Sequence, residues 1–128
     1  MSKLIVNTEK APAPIGPYNQ CIKTDTLAFV SGQIPMDPET NEIVTGGIKA
    51  EAHQVMKNLK AILEEAKLTL DHVVKSTIFL SDMSHFADVN EVYGSYFNGD
   101  YPARETVAVK GLPKGVNVEI SVIATISR

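Results

Sequence analysis

The sequence predicts an α+β fold, a single sheet of about six strands with two helices on one face. Three patterns predict it. Toward the C-terminus Val116, Val118, Ile120, Val122, Ala124 and Ile126 alternate with Asn117, Glu119, Ser121 and Thr125, the period of a strand with one face in the core. Between residues 48 and 66, Ile48, Ala52, Val55, Met56, Leu59, Ile62, Leu63 and Ala66 recur at three- and four-residue steps among lysines and glutamates, which is a helix. Phe86, Val89, Tyr93 and Phe97 repeat at the same spacing and form the inner stripe of a second helix.

The remaining elements follow in chain order. Pro12, Pro14, Gly16 and Pro17 make residues 11–18 an extended lead-in, because proline removes the backbone donor a helix needs. Residues 18–23 and 27–31 are rich in β-formers and are separated by Thr24-Asp25-Thr26, a polar connection of hairpin length. Gly32-Gln33-Ile34-Pro35 is expected to break the second strand. Residues 35–47, with Pro35, Pro38, Gly46 and Gly47, read as an ordered surface loop. After the first helix, residues 73–80 return to strand character. Asp82 or Ser84 caps the second helix, and Asn98-Gly99-Asp100 ends it. Two helices cover only one face of such a sheet, so neighbours of Leu27, Ala28, Val107 and Ala108, together with Ile123, must find cover elsewhere. That bare face predicts an oligomer.

At 128 residues the chain is read as one domain, 1–128, able to bury about two thirds of its unfolded surface without a disulfide or metal staple. Its 44% apolar and 21% charged content is ordinary for a globular protein, and a net charge of −3 offers no field to draw a polyanion, which disfavours nucleic acid as a partner. No apolar run approaches membrane-spanning length, and Met1-Ser2-Lys3-Leu4-Ile5-Val6 turns polar too soon for a signal peptide, so a cytoplasmic protein with no membrane partner is expected. One cysteine, Cys21, permits neither an internal disulfide nor a thiolate metal cluster.

The chemistry concentrates near the C-terminus. If Leu112-Pro113-Lys114-Gly115 closes a hairpin, Arg104, Thr106 and Ala108 share a face with Glu119, Ser121 and Ile123. Arginine grips a carboxylate or phosphate with two parallel N–H donors, and glutamate positions a water or moves a proton. Together they suggest hydrolytic chemistry on a small anion. The competing reading is a surface salt bridge contributing less than about 1 kcal/mol.

These residues sit within blocks that resemble the Rid/YjgF family, and within it the RidA-type imine deaminases. The blocks are Ile15-Gly16-Pro17-Tyr18, Val30-Ser31-Gly32-Gln33-Ile34-Pro35, Asn58-Leu59-Lys60-Ala61-Ile62-Leu63 and Val74-Lys75-Ser76-Thr77-Ile78-Phe79-Leu80, followed by Phe86-Ala87-Asp88-Val89-Asn90-Glu91-Val92-Tyr93, Tyr101-Pro102-Ala103-Arg104 and Leu112-Pro113-Lys114-Gly115 leading to Val118-Glu119-Ile120. The resemblance implies a chorismate-mutase-like fold and a homotrimer with a central β-barrel and sites between subunits. It also implies hydrolysis of 2-aminoacrylate (2-iminopropanoate) and 2-iminobutanoate to 2-oxo acids and ammonia, with no cofactor and no metal. On the same basis Arg104 holds the substrate carboxylate, Glu119 activates water, and Tyr18, Ser31, Gly32 and Thr106 bind substrate, Gly32 and Thr106 through the main chain. Some positions depart from the family pattern. Glu105 stands where a small or hydroxylated residue is commoner, Thr106 where several bacterial members have cysteine, Asn19 where serine is frequent, and Lys67 where a helix-ending glycine is frequent.

Other candidates have plainer readings. Cys21 is a packed thiol, and His53, His72 and His85, lacking metal or triad spacing, have surface or capping roles. Gly46-Gly47 lacks the surroundings of a phosphate loop, and Tyr93, Tyr96 and Phe97 are core. Two functions compete with deamination. One is an endoribonuclease or translation inhibitor, and the other a non-catalytic 2-oxo acid sensor or chaperone-like protein.

Overall fold

A computed structural model describes residues 3–126. Strands β1 (Leu4–Val6), β2 (Cys21–Lys23), β3 (Leu27–Gln33), β4 (Met36–Asp37) and β5 (Glu42–Ile43) precede helix α1 (Ile48–Glu65). Then come β6 (Val73–Leu80), α2 (Phe86–Gly94), β7 (Ala103–Ala108) and β8 (Val118–Thr125). Six strands form one mixed sheet in the order β1-β2-β3-β8-β6-β7, and β4 and β5 make a small separate hairpin within the predicted surface loop.

The predicted C-terminal hairpin does not form. β7 pairs in parallel with β6, and β8 runs antiparallel between β3 and β6. The reason is the crossover: a parallel neighbour needs a helix-length connection, which α2 supplies, and this carries β7 to the outside of β6. The central slot is left for β8. It is the strand with unbroken alternation, and Val118, Ile120, Val122 and Ala124 are buried beneath α1 with Val55, Met56, Leu59, Ile62 and Leu63.

Other boundaries also shift. Gly32 does not end β3; the strand continues through it, with a bulge in which Ser31 and Gly32 together oppose Ser121 between the pairs Val30↔Val122 and Gln33↔Ile120. The first predicted strand begins at Cys21; before it, side-chain bonds from Gln20 N–H to Asn7 Oδ1 and from Ser31 Oγ to Asn19 O replace part of the ladder, while Gln20 O still accepts from Ser31 N–H at 2.9 Å. Helix α2 stops at Gly94, ahead of Asn98-Gly99-Asp100, and Asp82 caps a short 3₁₀ turn, Met83–His85, that leads into it.

The ends of α1 are set by backbone chemistry. Gly46 and Gly47 take positive φ at its entry, and at its exit Lys67 adopts φ 67°, a left-handed conformation that glycine fills more readily. Leu68 N–H donates to Leu63 O at 2.8 Å and Lys67 N–H to Glu64 O at 3.0 Å, while Lys23 Nζ caps Ala66 O at 2.8 Å. Within the first turn the buried Glu51 carboxylate accepts from Asn117 N–H (3.2 Å) and Nδ2 (2.9 Å), tying α1 to the start of β8.

The helices cover the sheet face that carries Ala28, Ile78 and Val122. The other face is bare: Phe29 and Val107 are 42% and 45% exposed, and Ile5 at the edge 58%. No helix among the described residues is long and apolar enough to cross a membrane.

Candidate functional site

The predicted site residues other than Thr106, which lines neither, fall into two separate clefts. The first gathers Tyr18, Ser31, Gly32 and Glu119, with Ile15 and Pro113 as further walls. A buried amide organises its N-terminal side. Gln20 Oε1 accepts from Thr8 N–H at 2.6 Å, and its Nε2 donates to Thr8, Ala11 and Pro12 carbonyls at 3.0, 3.2 and 2.8 Å. This pins the proline-rich lead-in against the sheet and brings Ile15 and Tyr18 to the cleft. Ser31 Oγ donates to Asn19 O at 2.6 Å, and the Tyr18 hydroxyl accepts from Ile15 N–H at 3.4 Å.

Gly32 is what allows the Glu119 side chain its observed position. A Cβ there would overlap the Glu119 carboxylate, lying 2.9 Å from Cδ and 3.1 Å from Cγ. The β3 bulge therefore lets the Glu119 side chain lie directly on the Gly32 backbone. Burial in that position pushes the Glu119 carboxyl above the usual range for glutamate. It is thus a group suited to holding a proton closer to neutral pH.

The second cleft is a groove of about 700 Å³ beside the edge strand β7, lined by Asn90, Glu91, Tyr93, Gly94, Tyr101, Pro102 and Arg104. The Arg104 guanidinium sits 5.3 Å from the Tyr93 ring centre and 5.7 Å from that of Phe86, and Nη1 donates to Asn90 Oδ1 at 2.7 Å. Tyr93 is fixed in turn by its hydroxyl, which donates to buried Ser76 Oγ at 2.8 Å. Burial also raises the Tyr93 phenol, keeping it a neutral donor. Phe86, Asn90 and Tyr93 follow at steps of four and three along α2, so one helix face orients the arginine. Sequence reasoning assigned Phe86 and Tyr93 to the core and did not single out Asn90; that shared spacing was the available signal.

The structure therefore corrects the expectation that Arg104 and Glu119 share a face. Arg104 pairs with Ser76 and points toward the helices, as does Thr106 opposite Ile78. Glu119 pairs with Phe79, whose partner on β7 is Val107, and so belongs to the opposite face. Two ladder spacings across and three residues along place their Cα atoms on the order of 14 Å apart, with the sheet between the side chains. Thr106 Oγ1 is buried without a hydrogen-bond partner. Glu105 does not disturb the arginine, because it turns to the bare face and pairs with Lys75 Nζ at 3.0 Å.

The remaining side chains have structural partners. Cys21 is fully buried and its thiol is pushed up by burial, His53 Nδ1 lies 2.9 Å from the Tyr96 hydroxyl, and His72 forms a capping box with Thr69. Among the described residues, no three His, Cys, Asp or Glu side chains gather as a metal-binding group.

Comparison with known proteins shows the family. The family described as Endoribonuclease L-PSP matches residues 8–126. A RutC family protein of Pyrococcus abyssi is 54% identical over 124 residues, 97% of this chain and 98% of the relative. The mouse 2-iminobutanoate/2-iminopropanoate deaminase is 46% identical over 120 residues, 94% of this chain and 89% of the relative. A solved structure from Yersinia pestis, of the conserved Rid protein family, superposes with a TM-score of 0.95 at 44% identity, covering 98% of this chain and 100% of that one. The chain belongs to the Rid/YjgF family.

Proposed function

We propose that the protein is a hydrolytic deaminase of small imines, 2-iminopropanoate (from 2-aminoacrylate) and 2-iminobutanoate, acting as a homotrimer without cofactor or metal. In this reading the Arg104 groove of one chain faces the Tyr18, Ser31, Gly32 and Glu119 cleft of the next. The observation that carries it is the placement of the two halves on opposite faces of the sheet. Each lacks what the other holds: the carboxylate in the arginine groove, Glu91, is paired with Lys49 rather than with Arg104, and among the described residues no cation lines the glutamate cleft. A second copy joins them, and Phe29 and Val107 on the bare sheet face supply apolar area for it to cover.

The chemistry suits these groups. The reaction R–C(=NH)–COO⁻ + H₂O → R–C(=O)–COO⁻ + NH₃ begins at a carbon that is electrophilic once the imine nitrogen is protonated. Arg104 would hold the carboxylate through its planar fork, and the Asn90, Tyr93 and Phe86 contacts fix that fork in advance. Glu119, with its raised proton affinity, would give a proton to the imine nitrogen and take one from the incoming water. Tyr18, Ser31 and the main chain at Gly32 and Thr106 would position the substrate. The close match to mammalian deaminases supports the same chemistry.

The endoribonuclease in the family description is the second reading, and RNA would have to bind a chain of net charge −3. The test is to generate 2-iminobutanoate with a threonine dehydratase while semicarbazide competes for it. Suppression of semicarbazone by wild type and not by Arg104→Ala supports deamination. Binding of 2-oxobutanoate without suppression points to a sensor, and RNA cleavage that Arg104→Ala abolishes points to a nuclease.

A further inference from the structure

Arg104 has two acidic neighbours, and each is held by a lysine. Glu105 follows it in sequence and is tied to Lys75 on the other face of the sheet. Glu91 lies nearer the function, since it lines the same groove as Arg104, next to Asn90, which accepts the arginine's hydrogen bond. Its Oε2 is engaged by Lys49 Nζ at 3.0 Å, reaching over from the first turn of α1. Arg104 makes no ion pair among the described residues.

Stability does not explain the Lys49–Glu91 pair. Its side chains are 49% and 71% exposed, and exposed pairs of this kind contribute little to folding. The electrostatic consequence for the groove is larger. A carboxylate at its rim would repel an incoming anion and could swing in to occupy the guanidinium that the anion needs. The hydrogen bond to Glu91 also raises the Lys49 ammonium above its usual range, so the lysine stays charged throughout the physiological interval.

We propose that Lys49 is a specificity-determining residue for the anionic substrate: by holding and neutralising Glu91, it keeps the Arg104 groove open to a carboxylate from solution. This rests on the reading of Arg104 as the carboxylate holder. Lys49 is a positioning residue, acting through Glu91 and touching no substrate itself.

The test uses wild type, Lys49→Met, Glu91→Gln and the double variant, measuring 2-oxobutanoate binding by calorimetry and imine turnover in the coupled assay. Lys49→Met is expected to weaken binding and raise KM about 3- to 10-fold with kcat unchanged, and to do so less at high salt. Glu91→Gln alone changes binding by less than about twofold, and the double variant returns to wild type within the same margin, because removing the freed carboxylate removes the repulsion. Unchanged binding in Lys49→Met overturns the proposal, as does a double variant as weak as the single. Turnover by wild type without this pattern defeats the lysine role alone. The pattern in binding without turnover defeats the deaminase reading alone.

Discussion

Arg104 and Glu119 leave the same sheet by opposite faces, with β6 between their strands: Arg104 is the cross-strand partner of Ser76, and Glu119 that of Phe79. Residues an odd number apart on one strand point to opposite sides, so no rotamer change brings the two side chains together within one chain. A site that uses both has to be built from two copies.

Mixing variants tests this arrangement. Arg104→Ala and Glu119→Gln should each lose about 10²-fold or more in kcat/KM, and Arg104→Lys should not recover the first loss because an ammonium lacks the planar fork. After subunit exchange at equal ratio, about a quarter of the boundaries would combine an intact Arg104 with an intact Glu119. Activity measured on the mixture should rise toward that fraction of wild type. A mixture as inactive as its parents would place both residues' work within one chain.

Glu119 predicts a pH dependence of stability. Its folded proton affinity is raised by burial, so between the unfolded value and the higher folded value the folded state binds more protons than the unfolded state. The contribution of this group to stability is complete below the unfolded pKa and is lost as pH rises through the folded one. Thermal unfolding followed across this interval should show wild type declining relative to Glu119→Gln, which cannot titrate.

Gly32→Ala separates activity from stability. The added Cβ meets the flexible end of the Glu119 side chain rather than backbone, so the carboxylate can swing aside. Stability should change by less than about 1 kcal/mol, while kcat/KM falls on the order of 10²-fold because the acid is displaced. Thermal denaturation and the coupled assay on the same preparation check both halves.

Beneath the arginine, Tyr93→Phe removes the donor to Ser76 Oγ, which is fully buried. The loss should cost about 1 to 3 kcal/mol in chemical denaturation, since a buried hydroxyl is left unpaired. Adding Ser76→Ala should cost less than the sum of the two single changes, because the orphaned partner is then gone.

Much of the fold was legible in the residues. The alternation around Ile120 and the helical spacing from Ile48 to Ala66 each report a burial pattern that depends only on local geometry, and both elements formed within one or two residues of the pattern's ends, as Val118–Thr125 and Ile48–Glu65. The site residues Tyr18, Ser31, Gly32 and Glu119 also converge, although the bulge that brings Ser31 and Gly32 round to Glu119 has no signature in spacing. Gly32 instead suggested a break.

Strand order lay beyond local pattern. Alternation states which residues of β7 and β8 share a face of their own strand, and says nothing about which strands are neighbours. The crossover through α2 set that, and with it the separation of Arg104 from Glu119. The supports of Arg104 were hidden for the same reason, since Asn90 and Tyr93 on α2 and Ser76 on β6 come together beside it only when α2 packs on β6 and β7. Residue types and their periods specify the chemistry available and the faces that must be buried. Which of those groups meet depends on long-range packing, where burial of the most apolar strand at the centre of the sheet outweighs a nearby turn.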